Sequence, residues 1–329
     1  MKFRTPVEPP ASMPSVDYRQ RMMLFGSCFA ASIGNRLTEA KFPCDVNPYG
    51  ILYNPLSIAA AIEEIMTCKI YTGDDLYAHN GCWHSPMHHG DFSLPDREET
   101  LRGINTRIAK AHRNLPQTGR LLMTWGTAYI YEDRLTGHVV GNCHKLPENR
   151  FRRRRLEPDE IVERSKDTIS RLLDLNAEMK VTVTVSPIRH VRDGMHANQL
   201  SKSALLLAAD RLQTLYPDSV SYFPAYEIVL DELRDYRFYA ADMVHPSEVA
   251  TGYVWECFCQ ACMDKETRDT MAEVMEVNRA MSHRPLRPES DQYRHFLEQT
   301  LSKIERLNEK YPYLDFEKEK ELCRTRLNP

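Results

Sequence analysis

The chain has 329 residues, of which 42% are hydrophobic and 9% aromatic, so it is long and apolar enough to bury a substantial globular core. Its formal net charge is −3, so the chain has no overall positive charge that would attract nucleic acid or an anionic membrane. Residues 1–15 lack the apolar run of a signal peptide, and no later stretch reaches the length of a membrane helix. We therefore expect a cytoplasmic protein whose nine cysteines are reduced.

The first predicted element follows a proline-rich lead-in over residues 1–21. An apolar run at 22–25 predicts a buried strand, which stops at Gly26-Ser27 before a helical pattern over 30–37. A serine at such a turn either caps the helix or presents its hydroxyl as a nucleophile at the C-terminal edge of a sheet. In the second case, the first amides of the helix face the negative charge that develops beside the serine.

Strands and helices then alternate along the chain. The pattern predicts a strand over 42–47, helices over 57–66 and 97–114, and a buried strand over 120–125. A hairpin is predicted over 129–141, and it would return the residues that follow it to the same sheet edge.

One long segment, residues 67–95, shows no periodicity and is rich in aromatic residues, glycine and histidine. Long irregular segments of this kind are typical of lids and binding loops, so we expect this one to cover the site. A metal would need carboxylate or thiolate partners at an organised spacing, and we predict none because the segment supplies only a loose set: His84, His88, His89, Cys82 and Asp91.

Four consecutive arginines at 152–155 are interpreted as a solvated face next to the helix that follows. The alternative is that the run holds an acidic group of the substrate, although four adjacent arginines cannot all face one ligand. Further strands are predicted over 181–185, where all five residues are β-branched, and over 220–223. Polar residues that follow a central parallel strand face the ligand site in open α/β sheets. Arg189 and His190, which follow the first of these strands, are therefore predicted to bind substrate.

An acid and a histidine, Asp242 and His245, stand three residues apart just before an amphipathic helix. This spacing lets the carboxylate hold the Nδ1 proton of the histidine and leaves Nε2 facing outward as a base. The alternative is a surface acid that caps the helix beside an exposed histidine. With Ser27, the chain order is serine, acid, histidine, as in several α/β hydrolases.

The segment Phe25-Gly26-Ser27-Cys28-Phe29-Ala30 resembles the signature of the GSCFA family, bacterial proteins similar to the SGNH/GDSL hydrolases. The resemblance covers most of the chain, with further similar segments at 47–55, 124–128, 141–145, 186–190, 198–202 and 233–239. It implies a triad in which Ser27 is the nucleophile, His245 the general base and Asp242 the orienting carboxylate.

The same resemblance implies an oxyanion hole, formed by the amides of Ser27 and Gly50 together with an asparagine side chain. This sequence has Ala128 at the asparagine position, and the loss of one donor costs about 2 to 4 kcal/mol of transition-state stabilisation. Asn142 is our candidate replacement and Thr127 the alternative, although an asparagine here also suits a structural turn. His144, close to Asn142, is predicted to bind substrate.

We therefore predict a doubly wound, flavodoxin-like and SGNH-hydrolase-like α/β fold: a parallel sheet in a three-layer α/β/α sandwich, with a helical C-terminal appendage. The predicted domains are residues 1–265 and the appendage, residues 266–329. The predicted function is ester hydrolysis, on an acylated carbohydrate or another small polar substrate, with no cofactor and no nucleic-acid or membrane partner. A homo-oligomer, an acyltransferase with the same triad, a catalytically weak binding protein and a Cys28 nucleophile stay open.

Overall fold

The computed structural model describes residues 4–327. Its strands are β1 (Arg21–Gly26), β2 (Cys44–Val46), β3 (Tyr77–His79), β4 (Cys82–His84), β5 (Thr118–Trp125), β6 (Tyr129–Asp133), β7 (Val139–Val140), β8 (Phe151–Arg155), β9 (Lys180–Val185) and β10 (Val220–Tyr222). Its helices are α1 (Cys28–Glu39), α2 (Pro55–Met66), α3 (Arg97–Asn114), α4 (Pro158–Leu175), α5 (Gly194–Leu215), α6 (Ala225–Glu227), α7 (Glu248–Cys262), α8 (Lys265–Ser282), α9 (Asp291–Lys310) and α10 (Glu317–Leu327). Among the helices in this part of the chain, none combines the length and apolar character needed to span a bilayer.

A parallel sheet of five strands organises the molecule, in the order β2-β1-β5-β9-β10. The first strand of the chain lies inside the sheet, and the winding direction reverses between β1 and β5. Doubly wound sheets bind ligands at this switch point, beyond the carboxyl ends of the strands. The predicted doubly wound α/β fold with C-terminal helices is therefore confirmed, and the switch point places the residues after β1 and β5 together.

The sheet is covered on both faces, which explains the unbroken apolar run of β1. Alternate side chains of a strand point to opposite faces. Met23 and Phe25 contribute to one apolar core with helices α2 to α5, whereas Met22 and Leu24 contribute to a second core with α1 and α7. These two cores give the three layers of the sandwich.

The C-terminal helices α8, α9 and α10 pack into the second core, together with α1 and α7. Their buried contributions include Val274, Val277, Leu297 and Ile304. The division of the chain between residues 265 and 266 stays a prediction. The apolar face of the C-terminal helices is covered by the same core that holds α1.

A smaller antiparallel sheet, β7-β6-β8, stands beside the carboxyl ends of the main strands. The interpretation of residues 152–155 as one solvated face is wrong, because these arginines form strand β8 and alternate between its two faces. The side chain of Arg152 is 66% exposed and that of Arg153 only 22%. Of the four arginines, only Arg153 lines the cavity described below.

Candidate active site

Ser27 occupies the turn between β1 and α1, at the switch point of the sheet. It is the N-cap of α1, and its Oγ accepts a hydrogen bond from the Phe29 N–H at 3.4 Å. The bond is long for an N–H to oxygen contact, so it restrains the hydroxyl only weakly. Ser27 therefore caps the helix, as one interpretation predicts, and it also lines the cavity described below. Its role as a nucleophile stays a prediction.

Gly26 allows this turn to form. Its φ is +146°, a backbone conformation that L side chains rarely adopt, and a Cβ atom there would lie 2.3 Å from the Thr124 carbonyl oxygen of β5. Its N–H donates to Asn47 Oδ1 at 2.9 Å. A glycine is required because the end of β1 closely approaches the end of β5.

Asp242 and His245 are joined by a side-chain hydrogen bond within one tight turn. His245 Nδ1 lies 2.6 Å from Asp242 Oδ2, and both side chains are 50% exposed. Asp242 Oδ1 accepts the backbone N–H groups of His245 and Val244, each at 2.9 Å. These backbone bonds, with the His245 side chain, lower the pKa of Asp242 to about 2. The carboxylate therefore stays charged and holds Nδ1–H, which leaves Nε2 as the acceptor.

One cavity of about 640 Å³ brings Ser27 and His245 together. Its wall also includes aromatic side chains from β6 and β8 and from the loop before α2: Tyr129, Tyr131, Phe151 and Tyr53. Within residues 4–327, no hydrogen bond joins Ser27 to His245. The structure therefore places the predicted nucleophile, Ser27, and the predicted base, His245, in the wall of the same cavity.

Cys28 lines the same cavity as the first residue of α1. Burial, together with the neighbouring Cys28 thiol, raises the pKa of Tyr53 to about 12. The structure thus keeps both adjacent residues, Ser27 and Cys28, as candidate nucleophiles.

The prediction that Gly50 donates to an oxyanion is corrected by the structure. Its N–H donates to the Asn47 carbonyl oxygen at 2.8 Å, which closes a turn in which Gly50 has φ +74°. Gly50 is also missing from the residues that line the cavity. Its amide is therefore committed to the turn that supports the end of β1.

Of the predicted replacements for the missing asparagine, Asn142 has the clearer geometry. Asn142 lines the cavity, its Oδ1 accepts the His144 N–H at 2.9 Å, and its Nδ2 has no hydrogen-bond partner in the described part of the chain. Thr127 also lines the cavity, but its Oγ1 accepts the Tyr129 N–H at 3.0 Å and lies 3.2 Å from Ser201 Oγ. Asn142 therefore has a side-chain donor available for a ligand.

The predicted substrate-binding residues divide into two groups. Arg189 and His190 line the cavity, as expected from their place after β9. His144 does not, because its Nε2 lies 2.9 Å from the Ser85 carbonyl oxygen and its ring packs 4.4 Å from that of His84. Burial lowers the pKa of His144. It therefore supports the long segment at 67–95 and does not face the cavity.

The long segment at 67–95 contains regular secondary structure. Strands β3 and β4 form a hairpin inside it, and it contributes only His89 to the cavity wall among the described residues. His88 is buried, stacks 4.2 Å from Tyr49, and has a pKa that burial lowers to about 3. No group of three or more metal-ligating side chains occurs in residues 4–327. We expected this segment to cover the site, but among the described residues it contributes only His89 to the cavity wall.

The sequence reasoning missed several wall residues, among them Tyr129 and Arg153. The Arg153 guanidinium lies 4.0 Å from the centre of the Tyr129 ring, on the inner side of the β7-β6-β8 sheet. The available signal was the alternation Tyr129-Ile130-Tyr131 in β6, which a strand converts into two different faces. The four arginines of β8 carry no such alternation.

Lys202 secures the far side of the site from α5. It is 1% exposed, and its Nζ donates to the carbonyl oxygens of Gly126 at 2.6 Å and Ser186 at 2.7 Å. These carbonyls follow β5 and β9. The preceding residue, Ser201, accepts the Ala128 N–H at 2.8 Å. Together the two side chains fix the turns after both central strands.

The buried lysine makes stability depend on pH. Burial lowers the pKa of Lys202 to about 7, whereas the unfolded chain protonates a lysine up to about pH 10.4. Between these values the unfolded state binds more protons, so this residue makes stability rise with pH, and its full cost is present below pH 7. From pH 7 to pH 9, we expect the free energy of unfolding of the wild type to rise by about 2 kcal/mol relative to Lys202→Met.

Urea denaturation of both proteins at the two pH values measures this difference. The matched control is Lys166→Met, because Lys166 is exposed on α4 and its removal should leave the pH dependence unchanged. Equal pH dependence of the wild type and Lys202→Met would contradict the expectation.

Comparison with known proteins identifies the family of the chain. The model of the GSCFA family matches residues 21–258, and that of the GSCFA domain protein, C-terminal domain, matches residues 274–329. No curated protein sequence matches. A crystal structure of a carbohydrate esterase family 3 from Talaromyces cellulolyticus is similar at 9% identity and a TM-score of 0.35, over 78% of this chain and 99% of that chain. Since the first family model covers well over half of the residues, the chain belongs to the GSCFA family.

Proposed function

We propose that the protein is a serine esterase in which Ser27 attacks the ester, His245 is the general base and then the general acid, and Asp242 orients the histidine. The observation that carries this proposal is that Ser27 and a carboxylate-anchored His245 line one cavity at the switch point of the sheet. Such an arrangement has the parts that nucleophilic acyl transfer needs.

The reaction follows from the order of proton transfers. Ser27 Oγ forms a bond to the acyl carbon while His245 Nε2 accepts its proton. The same proton passes to the leaving alcohol as the ester bond breaks. Water then attacks the acyl carbon while His245 Nε2 accepts its proton. The proton passes to Ser27 Oγ as the bond between the acyl carbon and Oγ breaks, which releases the acid and restores Ser27. The Ser27 amide and Asn142 Nδ2 are the proposed donors to the oxyanion.

A catalytically weak binding protein is the second candidate, and one specific observation favours it. Two expected oxyanion donors are missing, since Ala128 stands in place of the asparagine and the Gly50 amide is used in a turn. If Asn142 does not replace them, the cavity binds an ester and turns it over slowly.

The test of the proposal is intact-protein mass after exposure to a fluorophosphonate, a reagent that labels activated serines. We expect one adduct on the wild type and on Cys28→Ala, and none on Ser27→Ala, with hydrolysis of short 4-nitrophenyl esters following the same pattern. An adduct that disappears only in Cys28→Ala would transfer the nucleophile to the thiol. A folded wild type without any adduct would contradict the esterase and favour the binding protein.

A further inference from the structure

We infer that the ester substrate carries an anionic group, a carboxylate, phosphate or sulfate, and that Arg189 binds this group beside His245. The inference rests on the proposed function, because it takes the cavity of Ser27 and His245 as the substrate site. It adds the charge of the substrate, which the triad alone does not determine.

The charges of the cavity wall are unbalanced. Four basic side chains line it against one acidic side chain: Lys145, Arg153, Arg189 and Arg192 against Glu148. Two of the arginines are already neutralised by protein carboxylates. Arg153 pairs with Asp193, and Arg192 pairs with Glu148 at 2.7 Å. Arg189 and Lys145 form no ion pair within residues 4–327, so the wall keeps an excess positive charge at these two residues. Of the two, Arg189 is the one whose charged group is held against aromatic rings.

The Arg189 guanidinium is held in place by aromatic rings. It lies 4.1 Å from the centre of the Tyr239 ring and 5.2 Å from that of Tyr236, and Nη1 is 3.5 Å from the Tyr236 hydroxyl. Stacking fixes the plane of a guanidinium and leaves its N–H edges free. Such an edge is suited to bidentate contact with a carboxylate or phosphate.

The position of Arg189 relates the anion to the reacting bond. Its backbone N–H donates to the Val244 carbonyl oxygen at 3.2 Å, one residue before His245. The turn of His245 is also closed by the Ala240 N–H, which donates to the His245 carbonyl oxygen at 2.7 Å. Arg189, His245 and Ser27 also line the same cavity, so an anion bound by Arg189 and an ester at Ser27 can belong to one substrate.

Polar atoms without partners support a ligand at the same wall. Both ring nitrogens of His190 and the Nε of Arg153 are buried and make no hydrogen bond in the described residues. Burial lowers the pKa of His190 to about 4, so the ring is neutral and offers one N–H donor and one acceptor. Unsatisfied buried polar atoms are costly, and an oxygen-rich ligand would satisfy them. A neutral substrate would leave Arg189 unpaired as well.

The kinetic test compares pairs of esters in which one group is either anionic or neutral and the rest of the molecule is the same. On the acyl side the pair is mono(4-nitrophenyl) glutarate and 4-nitrophenyl pentanoate. On the alcohol side it is 4-acetoxybenzoate and its methyl ester, with 4-acetoxyphenyl phosphate and sulfate as further arms that distinguish the type of anion. For at least one arm, we expect kcat/KM of the wild type to favour the charged ester by about tenfold or more.

Variants assign this preference to one side chain. Arg189→Gln should reduce the preference for the charged ester by about 10- to 100-fold, the usual effect of losing a charge-assisted hydrogen bond, and Arg189→Lys should retain part of it. Arg152→Gln is the matched control, because Arg152 is exposed on the outer face of β8 and should leave the ratio unchanged. Equal kcat/KM for charged and neutral esters in every arm would overturn the inference.

A binding measurement separates this inference from the proposed function. Calorimetric titration of Ser27→Ala with glutarate, benzoate and phenyl phosphate at constant ionic strength needs no catalysis. Binding that is lost in Ser27→Ala/Arg189→Gln supports the anion site even if fluorophosphonate labelling fails. Hydrolysis of neutral esters without charge preference, and without such binding, would leave the esterase standing and overturn the anion site.

Discussion

Replacing His245 with alanine is expected to lower kcat for ester hydrolysis by about 10⁴-fold or more, with little change in stability. The loss is large because Nε2 of this ring is the acceptor proposed for the Ser27 proton. The stability change is small because the side chain is half exposed and, among residues 4–327, forms a hydrogen bond only with Asp242. Steady-state kinetics with 4-nitrophenyl acetate and urea denaturation measure the two effects.

Two further variants make this prediction specific. Asp242→Asn should also lower kcat by about 10⁴-fold, since an amide in place of the carboxylate favours the wrong tautomer of His245. His196→Ala is the matched control, because His196 is exposed on α5 and does not line the cavity. An His245→Ala protein that keeps a tenth of the wild-type rate would show that the base lies elsewhere.

Gly26→Ala is expected to reduce the free energy of unfolding by about 2 to 6 kcal/mol, through backbone strain and overpacking together. The new Cβ would lie 2.3 Å from the Thr124 carbonyl oxygen and 2.7 Å from Thr124 Cβ, at a φ of +146°. Since β1 and β5 are paired along their length, neither strand can move away without losing ladder hydrogen bonds. Any protein that folds would also carry a displaced Ser27.

The matched control for Gly26→Ala lies in the neighbouring strand. Gly119→Ala in β5 would place its Cβ 3.7 Å from Gln20 Cβ, an ordinary van der Waals distance, and should change the free energy of unfolding by less than about 1 kcal/mol. Urea denaturation of both variants gives the comparison. Equal stability of the two would mean that the turn at Gly26 relaxes without strain.

The features that could be predicted from the sequence were those set by short segments. The apolar run before Gly26 and the three-residue spacing of Asp242 and His245 each describe a local geometry, and the structure shows both as expected. The alternation of strands and helices also predicted the doubly wound sheet, because parallel strands need helical crossovers.

The features that were missed depend on which partner each polar group finds in the folded chain. The Arg153 side chain faces the cavity because β8 pairs with β6 and because the guanidinium forms an ion pair with Asp193, forty residues later in the chain. The role of Gly50 was misplaced because a turn bond to Asn47, within the same short segment, uses its amide. Periodicity does not report which partner a donor finds once the chain has folded.

The shared apolar core of the C-terminal helices has a consequence for the history of the chain. Helix α1 begins directly after Ser27 and α7 begins shortly after His245, and both helices rest on residues of α8 and α9. The regions matched by the two family models thus share one apolar core, on which the helices after Ser27 and His245 both pack. Loss of either region would expose apolar side chains of the other region to solvent. We therefore expect the two regions to be inherited together.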